Sequence, residues 1–431
     1  MQWGRPLPPN SPTGHEQGPR RRPSEGVQPI VTRSSNAGDT PVPADGAAPD
    51  VDVVCLGESM VTFLPTAPGP LSDVPAFERA IGGAESNVAC ALARAGHPTR
   101  WISRVGADGF GDHLVREIAG HGVDTRAVRR DPARPTGIYF RTAGDRATDA
   151  HEVVYYRTGS AASAMGPATM DLAALRSGRV LHLSGITAAL SADCLDLLRA
   201  LMSHPSPDHH PPTAALRAGS PHPSPGTPRP HPSPGGVVLD APRRPLLSFD
   251  VNYRPRLWSG PRGPRVLLDL ARAADVVFVG ADEAQAAWGL PDPRAVRAAL
   301  PEPETLVVKL GRAGALVFRH APGAPGHDDA PAGTLVPAPT VDVVAAVGAG
   351  DAFAAGFLSA TLRGLPLRTR VRHGHLWAAA ALTVPGDLAP PPARPLADRL
   401  AALDDDAWGT LHLGPGWTDA MEAADQEVHT Q

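Results

Sequence analysis

The sequence predicts an α/β fold, a mostly parallel sheet covered by helices on both faces, with a small β-sheet lid. Two observations predict it. Short, near-continuous Val/Leu/Ile runs alternate with helical patterns along most of the 431 residues, as expected for strands buried on both faces. Two further runs, "TGIYFRT" (Thr136 to Thr142) and "HEVVYYR" (His151 to Arg157), alternate apolar and polar side chains around the turn-rich "AGDRATD". That is the pattern of an antiparallel hairpin outside the main sheet, lying over strand ends where open α/β sheets bind ligands.

The elements follow in chain order. "VDVVCLG" (Val51 to Gly57) reads as a buried strand, followed by the helix "ESNVACALARAG", stopped by Gly96. The strand "TRWISRVG" and the helix "DGFGDHLVREIAGHG" come next. Further strands are "RVLHLSG" (Arg179 to Gly185), "LLSFDVN" (Leu246 to Asn252), "DVVFVG" (Asp275 to Gly280) and "TLVVKLG" (Thr305 to Gly311). The stretch "VDVVAAVGAGDAFAAGFLSA", Val341 to Ala360, reads as an apolar strand, a glycine turn and a helix.

Composition sets the boundaries. Residues 1–49 are rich in Pro, Gly, Ser and Arg without apolar periodicity and read as a disordered extension. A second proline- and histidine-rich stretch, within 203–245, reads as a disordered insertion. Its histidines (His204, His209, His210, His222 and His231) lack Cys or acidic partners at fixed spacing, so a linker is preferred to a metal site. The folded domain is expected over 50–400, with lid strands near 59–80 and 124–158 and a tail over 401–431.

A net charge of −4 gives no reason to expect nucleic acid or an anionic membrane as a partner. The three cysteines, Cys55, Cys90 and Cys194, are far apart in apolar stretches and read as buried thiols. No run approaches the roughly 20 apolar residues that span a bilayer, and the arginine-containing N-terminus lacks an apolar core for a secretory signal. A soluble, cytoplasmic protein is the expectation.

Two glycine-rich turns carry the chemistry. In Gly348-Ala349-Gly350-Asp351 the glycines permit a tight turn and leave N–H groups free at a helix start, where partial positive charge can hold a phosphoryl group. Asp351 could take the proton of an attacking hydroxyl; equally, it could simply cap the helix. In "AIGGAESNVACALARAG" (Ala80 to Gly96), Gly82 and Gly83 allow close backbone approach and Asn87 can hydrogen-bond a polyol. A glycine turn with an Asn cap reads as well there.

Together and in this order, the two turns resemble the paired signatures of the ribokinase-like (PfkB) carbohydrate kinases, with "VVKLGRAGAL" (Val307 to Leu316) ahead of the second. The resemblance runs from about Val51 to Pro390, excluding the proline-rich insertion. It implies a ribokinase-like fold and an ATP- and Mg2+-dependent sugar kinase. Asp351 would be the base, the amides of Ala349, Gly350 and Asp351 (with Gly348) the anion hole, and Lys309, Gly311 and Gly314 neighbours of the nucleotide. It also implies a homodimer formed through the lid.

Within that family, "YYRTGSAAS" (Tyr155 to Ser163) and "DVNYRPRLW" (Asp250 to Trp258) look like their counterparts in 2-keto-3-deoxygluconate kinases. Two arginines on different elements suit a carboxylate, so Arg157 and Arg254 are the candidate grip, with Gly82, Gly83, Asn87, Tyr139, Tyr155 and Asn252 completing the sugar site. Thr62 stands near the place of an early Asp that many relatives use for sugar hydroxyls. Fructokinases carry a similar Asp-x-Asn-x-Arg stretch, so a neutral-sugar kinase is the alternative.

Two departures stand out. The family's Asp-Thr ahead of the anion-hole turn, which helps hold a monovalent cation, is Ala345-Ala346 here, so a monovalent-cation requirement is doubtful. The Asn of its Asn-x-x-Glu element is Gly280, while Glu283, the indirect magnesium contact through water, is kept. A catalytically weakened, sugar-binding relative is therefore a second alternative.

Overall fold

The computed structural model describes residues 51–67, 69–141, 153–203, 244–258, 262–319 and 333–419. The extension, nearly all of the proline-rich insertion with its five histidines, and the hairpin loop "AGDRATD" lie outside the described residues.

The described strands are β1 Val53–Leu56, β2 Met60–Pro65, β3 Phe77–Gly82, β4 Thr99–Ile102, β5 Arg104–Gly106, β6 Arg129–Asp131, β7 Ile138–Arg141 and β8 Val153–Tyr156. They continue with β9 Val180–Ser184, β10 Leu246–Asp250, β11 Val276–Gly280, β12 Thr305–Lys309, β13 Ala315–Arg319, β14 Thr334–Val336, β15 Thr340–Val341 and β16 His412–Leu413. The helices are α1 Ala84–Arg94, α2 Gly109–Gly120, α3 Leu172–Leu175, α4 Gly185–Ala189, α5 Ala192–Met202 and α6 Arg262–Arg272. Then come α7 Ala281–Trp288, α8 Pro293–Ala299, α9 Ala349–Leu362, α10 Leu367–Leu382, α11 Arg394–Ala401 and α12 Asp405–Gly409.

The main sheet has eight strands in the order β14-β13-β12-β11-β10-β9-β1-β4. Its pairings are parallel from β4 to β12 and antiparallel only for β13 and β14. Burial alternates across it, which explains the unbroken apolar strands. Val53 and Cys55 of β1 face one core with Trp101, Phe278 and residues of α1, α9 and α10. Val54 and Leu56 face the other, with Leu183, Phe249 and residues of α5 and α6. The three cysteines are buried and unpaired, as their apolar settings suggested. No helix among the described residues is long and apolar enough to cross a membrane.

A second sheet, β3-β2-β7-β8, forms the lid. β7 and β8 pair antiparallel with Tyr139 opposite Tyr155, as the alternating pattern predicted.

Four expectations need correction. "TRWISRVG" is two strands: β4 joins the main sheet, while β5 leaves it to pair with β6. Residues 124–135 accordingly contribute β6 to that separate pair rather than to the lid. The apolar run before Gly348 is no strand of the main sheet. Only Thr340–Val341 pairs, with β16, and Val343 and Val347 are exposed. The chain from 401 is not a tail as far as 419. Trp408 is fully buried and Trp417 nearly so, and Trp408 lies beneath the Arg372 guanidinium, 4.6 Å from ring centroid to Cζ.

Candidate active site

Helix α1 starts where Gly83 passes against the first lid connection. A Cβ there would lie 2.5 Å from the carbonyl oxygen of Glu58 and 2.8 Å from Ser59 Cα, so only glycine fits. This packing buries the first turn of α1, including Glu85 and Asn87. Gly82 is hemmed in similarly: its Cβ would meet the Tyr139 hydroxyl at 2.1 Å.

Helix α9 is capped by Gly348, in the left-handed region at φ 75°. Its Cβ would lie 2.1 Å from the Asp387 carbonyl oxygen, so backbone geometry and space both demand glycine. Asp351 therefore sits in the first turn of α9, not at its cap. Its carboxylate accepts from Asn87 Nδ2 at 2.9 Å. The side chain thus reaches across to α1 instead of capping its own helix. The two glycine motifs, 264 residues apart in sequence, meet at this bond.

Around this pair the charges converge. Lys309 Nζ stands 3.6 Å from where a Cβ of Gly350 would be and pairs with Asp250 at 3.1 Å. Burial pushes the Asp351 carboxyl up to about 8; Asn87 and Lys309 pull it down, and Asp250 and Glu85 push it up. Burial lowers the Lys309 ammonium, but Asp250 and Glu283 outweigh it and its pKa ends raised. Glu283 is raised by burial, against the pull of Lys309.

Two buried acceptors, Asn87 Oδ1 and Asn252 Oδ1, have no hydrogen-bond partner. Asn252 is also the one non-glycine among the described residues with positive φ, 40°. Unsatisfied buried acceptors and strained backbone concentrate at binding sites.

The other candidates separate. Arg157 is nearly buried and paired with Glu58, which also accepts from Ser160 Oγ. Arg254, half-exposed, lies 3.4 Å from Glu283 Oε1. Each guanidinium thus already has its own carboxylate. Tyr139 donates to Asp387 Oδ2 at 2.7 Å, its ring 5.4 Å from that of the exposed Tyr155. Gly311 and Gly314 shape the turn between β12 and β13, where Leu310 N donates to Gly314 O at 2.8 Å. Glu283 closes the first turn of α7 by accepting from Gly280 N at 2.8 Å.

For a metal, the fit is partial. No three His, Cys, Asp or Glu side chains converge among the described residues, and Asp250 and Glu283 already face Lys309 and Arg254. Such a pair suits magnesium carried by nucleotide phosphates and reached through water. Ala345 offers the site only backbone; its N–H donates to Leu382 O at 3.2 Å.

Sequence reasoning missed Asp250, Glu85, Glu58 and Asp387. Asp250 and Glu85 lie within "DVNYRPRLW" and "AIGGAESNVACALARAG", and Glu58 directly follows the strand "VDVVCLG", where an acidic residue beside a strand end or a glycine was the available signal. Asp387, in "VPGDLAP", carried none.

The chain matches the pfkB family carbohydrate kinase profile over residues 50–214 and 242–394. It is 31% identical over 370 residues to a 2-dehydro-3-deoxygluconokinase of Bacillus subtilis (strain 168), covering 85% of this chain and 99% of that one. It is 33% identical over 341 residues to a 2-dehydro-3-deoxygluconokinase of Thermoproteus tenax, covering 78% and 90%. A crystal structure of a PfkB protein from Polaromonas sp. JS666 superposes with a TM-score of 0.60 at 33% identity, over 77% of this chain and 95% of that one.

Proposed function

The chain belongs to the pfkB family of carbohydrate kinases, and we propose that it transfers the γ-phosphoryl group of ATP to a primary hydroxyl of 2-keto-3-deoxygluconate or a similar sugar acid. The observation that carries the kinase reading is the Asn87–Asp351 hydrogen bond at the start of α9, with Lys309 beside Gly350. Asp351 takes the proton as the sugar oxygen bonds to phosphorus and the bond to the ADP oxygen breaks. The α9 amides and Lys309 face the charge on the transferring group. A carboxyl tuned to about 8 has the right basicity for such a transfer near neutral pH.

Asn87 Oδ1 and Asn252 Oδ1, unpaired and buried, suit sugar hydroxyls. Gly311 and Gly314 would border the nucleotide. Magnesium, when bound with ATP, would neutralise phosphate charge, with Asp250 and Glu283 in reach through water. The sugar-acid assignment is supported by the names of the two 2-dehydro-3-deoxygluconokinases. In it Arg157 and Arg254 turn toward the substrate carboxylate. We place the enzyme in the cytoplasm as a homodimer through the lid, whose Tyr155 and Tyr156 are exposed.

A neutral-sugar kinase is the second reading, favoured by the carboxylates that already hold both arginines. The test is ATP-dependent turnover across sugar acids, fructose and ribose. Preference for 2-keto-3-deoxygluconate is expected; equal or better turnover of fructose or ribose rejects the sugar-acid assignment.

A further inference from the structure

A cleft of about 140 Å³ opens at the far ends of the two helices that meet at Asn87 and Asp351. Its walls include Arg94 at the end of α1, Ser359 and Arg363 at the end of α9, His373 and Trp377 of α10, and Arg394 at the start of α11. Three arginines therefore line one small space. Arg363 is paired with Asp398 at 2.7 Å, whereas Arg94 and Arg394 have no ion pair among the described residues. Among the described residues Arg394 donates only to the Ala95 carbonyl, at 3.1 Å.

Two of these arginines have an ordinary explanation. Arg94 and Arg363 stand at helix C-termini, where the helix dipole favours cations. Arg394 does not: it opens α11, at the end that favours anions. That helix has no acidic residue in its first turn and no side-chain cap on Ala393, so its leading N–H groups lack the usual acceptor. The concentrated positive charge is felt by buried His97, whose pKa is lowered first by burial and further by Arg394 and Arg363, against Asp52. His373, 2% exposed, adds a ring whose Nε2 is 3.2 Å from Asp398 yet makes no hydrogen bond.

We propose that this cleft is a second ligand site, for a small phosphate dianion held by Arg94, Arg363 and Arg394. Three guanidiniums against one carboxylate leave two positive charges, which a phosphate monoester matches, and planar guanidinium forks suit phosphate oxygens. The volume is well below the 300–1,000 Å³ or so of ordinary small-molecule pockets. It suits phosphate or a three-carbon phosphate and excludes a nucleotide. Ligand there bears on catalysis through α1 and α9. Asp351 lies about 12 Å along α9 from Ser359, and Asn87 about 10 Å along α1 from Arg94, at 1.5 Å per residue.

The test is calorimetric titration of the full chain with inorganic phosphate and with glycerol 3-phosphate, at matched ionic strength in chloride. Both are expected to bind the wild type, and at least tenfold more weakly the exposed-residue variants Arg394→Ala and Arg94→Glu/Arg394→Glu. Lys309→Met, beside the α9 turn, is the control and should leave this binding unchanged. No binding to the wild type, or loss in Lys309→Met with retention in the arginine variants, overturns the proposal. Tighter binding of glycerol 3-phosphate than of phosphate supports it with a phosphorylated metabolite as ligand; the reverse order supports it with the free ion. The readout is binding, so it stands apart from whether the sugar-kinase reading holds.

Discussion

Asn87, on α1, donates to the carboxylate of Asp351, on α9, across 2.9 Å. The bond fixes the proposed base against the start of a helix, and the remaining Asn87 oxygen is buried and unpaired. Replacing Asp351 with Asn should lower kcat by about 10²- to 10⁴-fold, the usual worth of a positioned acid–base group, while nucleotide binding persists. Steady-state kinetics and ATP titration check both halves.

The same carboxyl sets a pH dependence. Burial holds it protonated up to about 8 in the folded protein, whereas an unfolded Asp ionises near 3.9, roughly. Between those values the native state carries the extra proton, so this group's contribution to stability falls as pH rises from about 4 to about 8. kcat/KM should therefore rise with pH through about 8, and Asp351→Asn should gain in thermal stability relative to wild type over that range. A variant that loses activity and also melts earlier at pH 8 would mean that Asp351 is structural.

Gly348 and Gly350 should respond differently to alanine. At Gly348 the new methyl meets the Asp387 carbonyl, and the backbone is left-handed. A cost of about 1–3 kcal/mol from the conformation alone is expected, with more from the clash. At Gly350 the methyl meets only Lys309 Nζ, at 3.6 Å. Gly350→Ala should fold normally and lose turnover. Urea denaturation beside kinetics separates the two.

What the sequence made legible follows from how local each signal was. Strands buried on both faces leave continuous apolar runs, so β1, β9, β10, β11 and β12 were readable with their order along the chain. The Gly-Gly-Asn and Gly-Ala-Gly-Asp turns were readable because close backbone approach excludes other residues. Partners brought in from far along the chain left no local trace: Asp387 against Gly348, Glu58 against Arg157, Asp250 against Lys309. The run Val341 to Val347 misled because its apolar side chains are partly exposed beside the α9 turn rather than buried in the sheet. The segment from 401 looked like a tail because Trp408 and Trp417 are isolated by polar and glycine residues, with no periodicity to announce their burial.

Arg157 and Glu58 form a nearly buried ion pair, at 10% and 1% side-chain exposure. Removing only the arginine leaves an uncompensated buried carboxylate, which costs about 3–5 kcal/mol. Arg157→Ala should therefore lower stability whatever the substrate is. Arg157→Met combined with Glu58→Gln should recover most of it. If Arg157 also grips a substrate carboxylate, the double variant should show a raised KM for the sugar acid and an unchanged KM for a neutral sugar. Equal changes for both substrates would assign the pair to folding alone.

The C-terminal segment offers a test of the fold that needs no substrate. Trp408 is fully buried, donates from Nε1 to the Pro337 carbonyl at 2.8 Å, and lies under the Arg372 guanidinium. Arg372 in turn donates to the Ala401 carbonyl at 3.1 Å and pairs with Asp405 at 2.9 Å. The segment therefore clamps α10, whose other contacts include the C-terminal half of α9. Trp408→Ala should destabilise by about 3–5 kcal/mol, as large aromatic truncations in cores do. Truncation after residue 403 should do at least as much, since it removes Trp417 and the β15–β16 pairing as well. Chemical denaturation of both variants is the measurement; a truncated chain as stable as the full one would return the segment to the tail that its composition suggested.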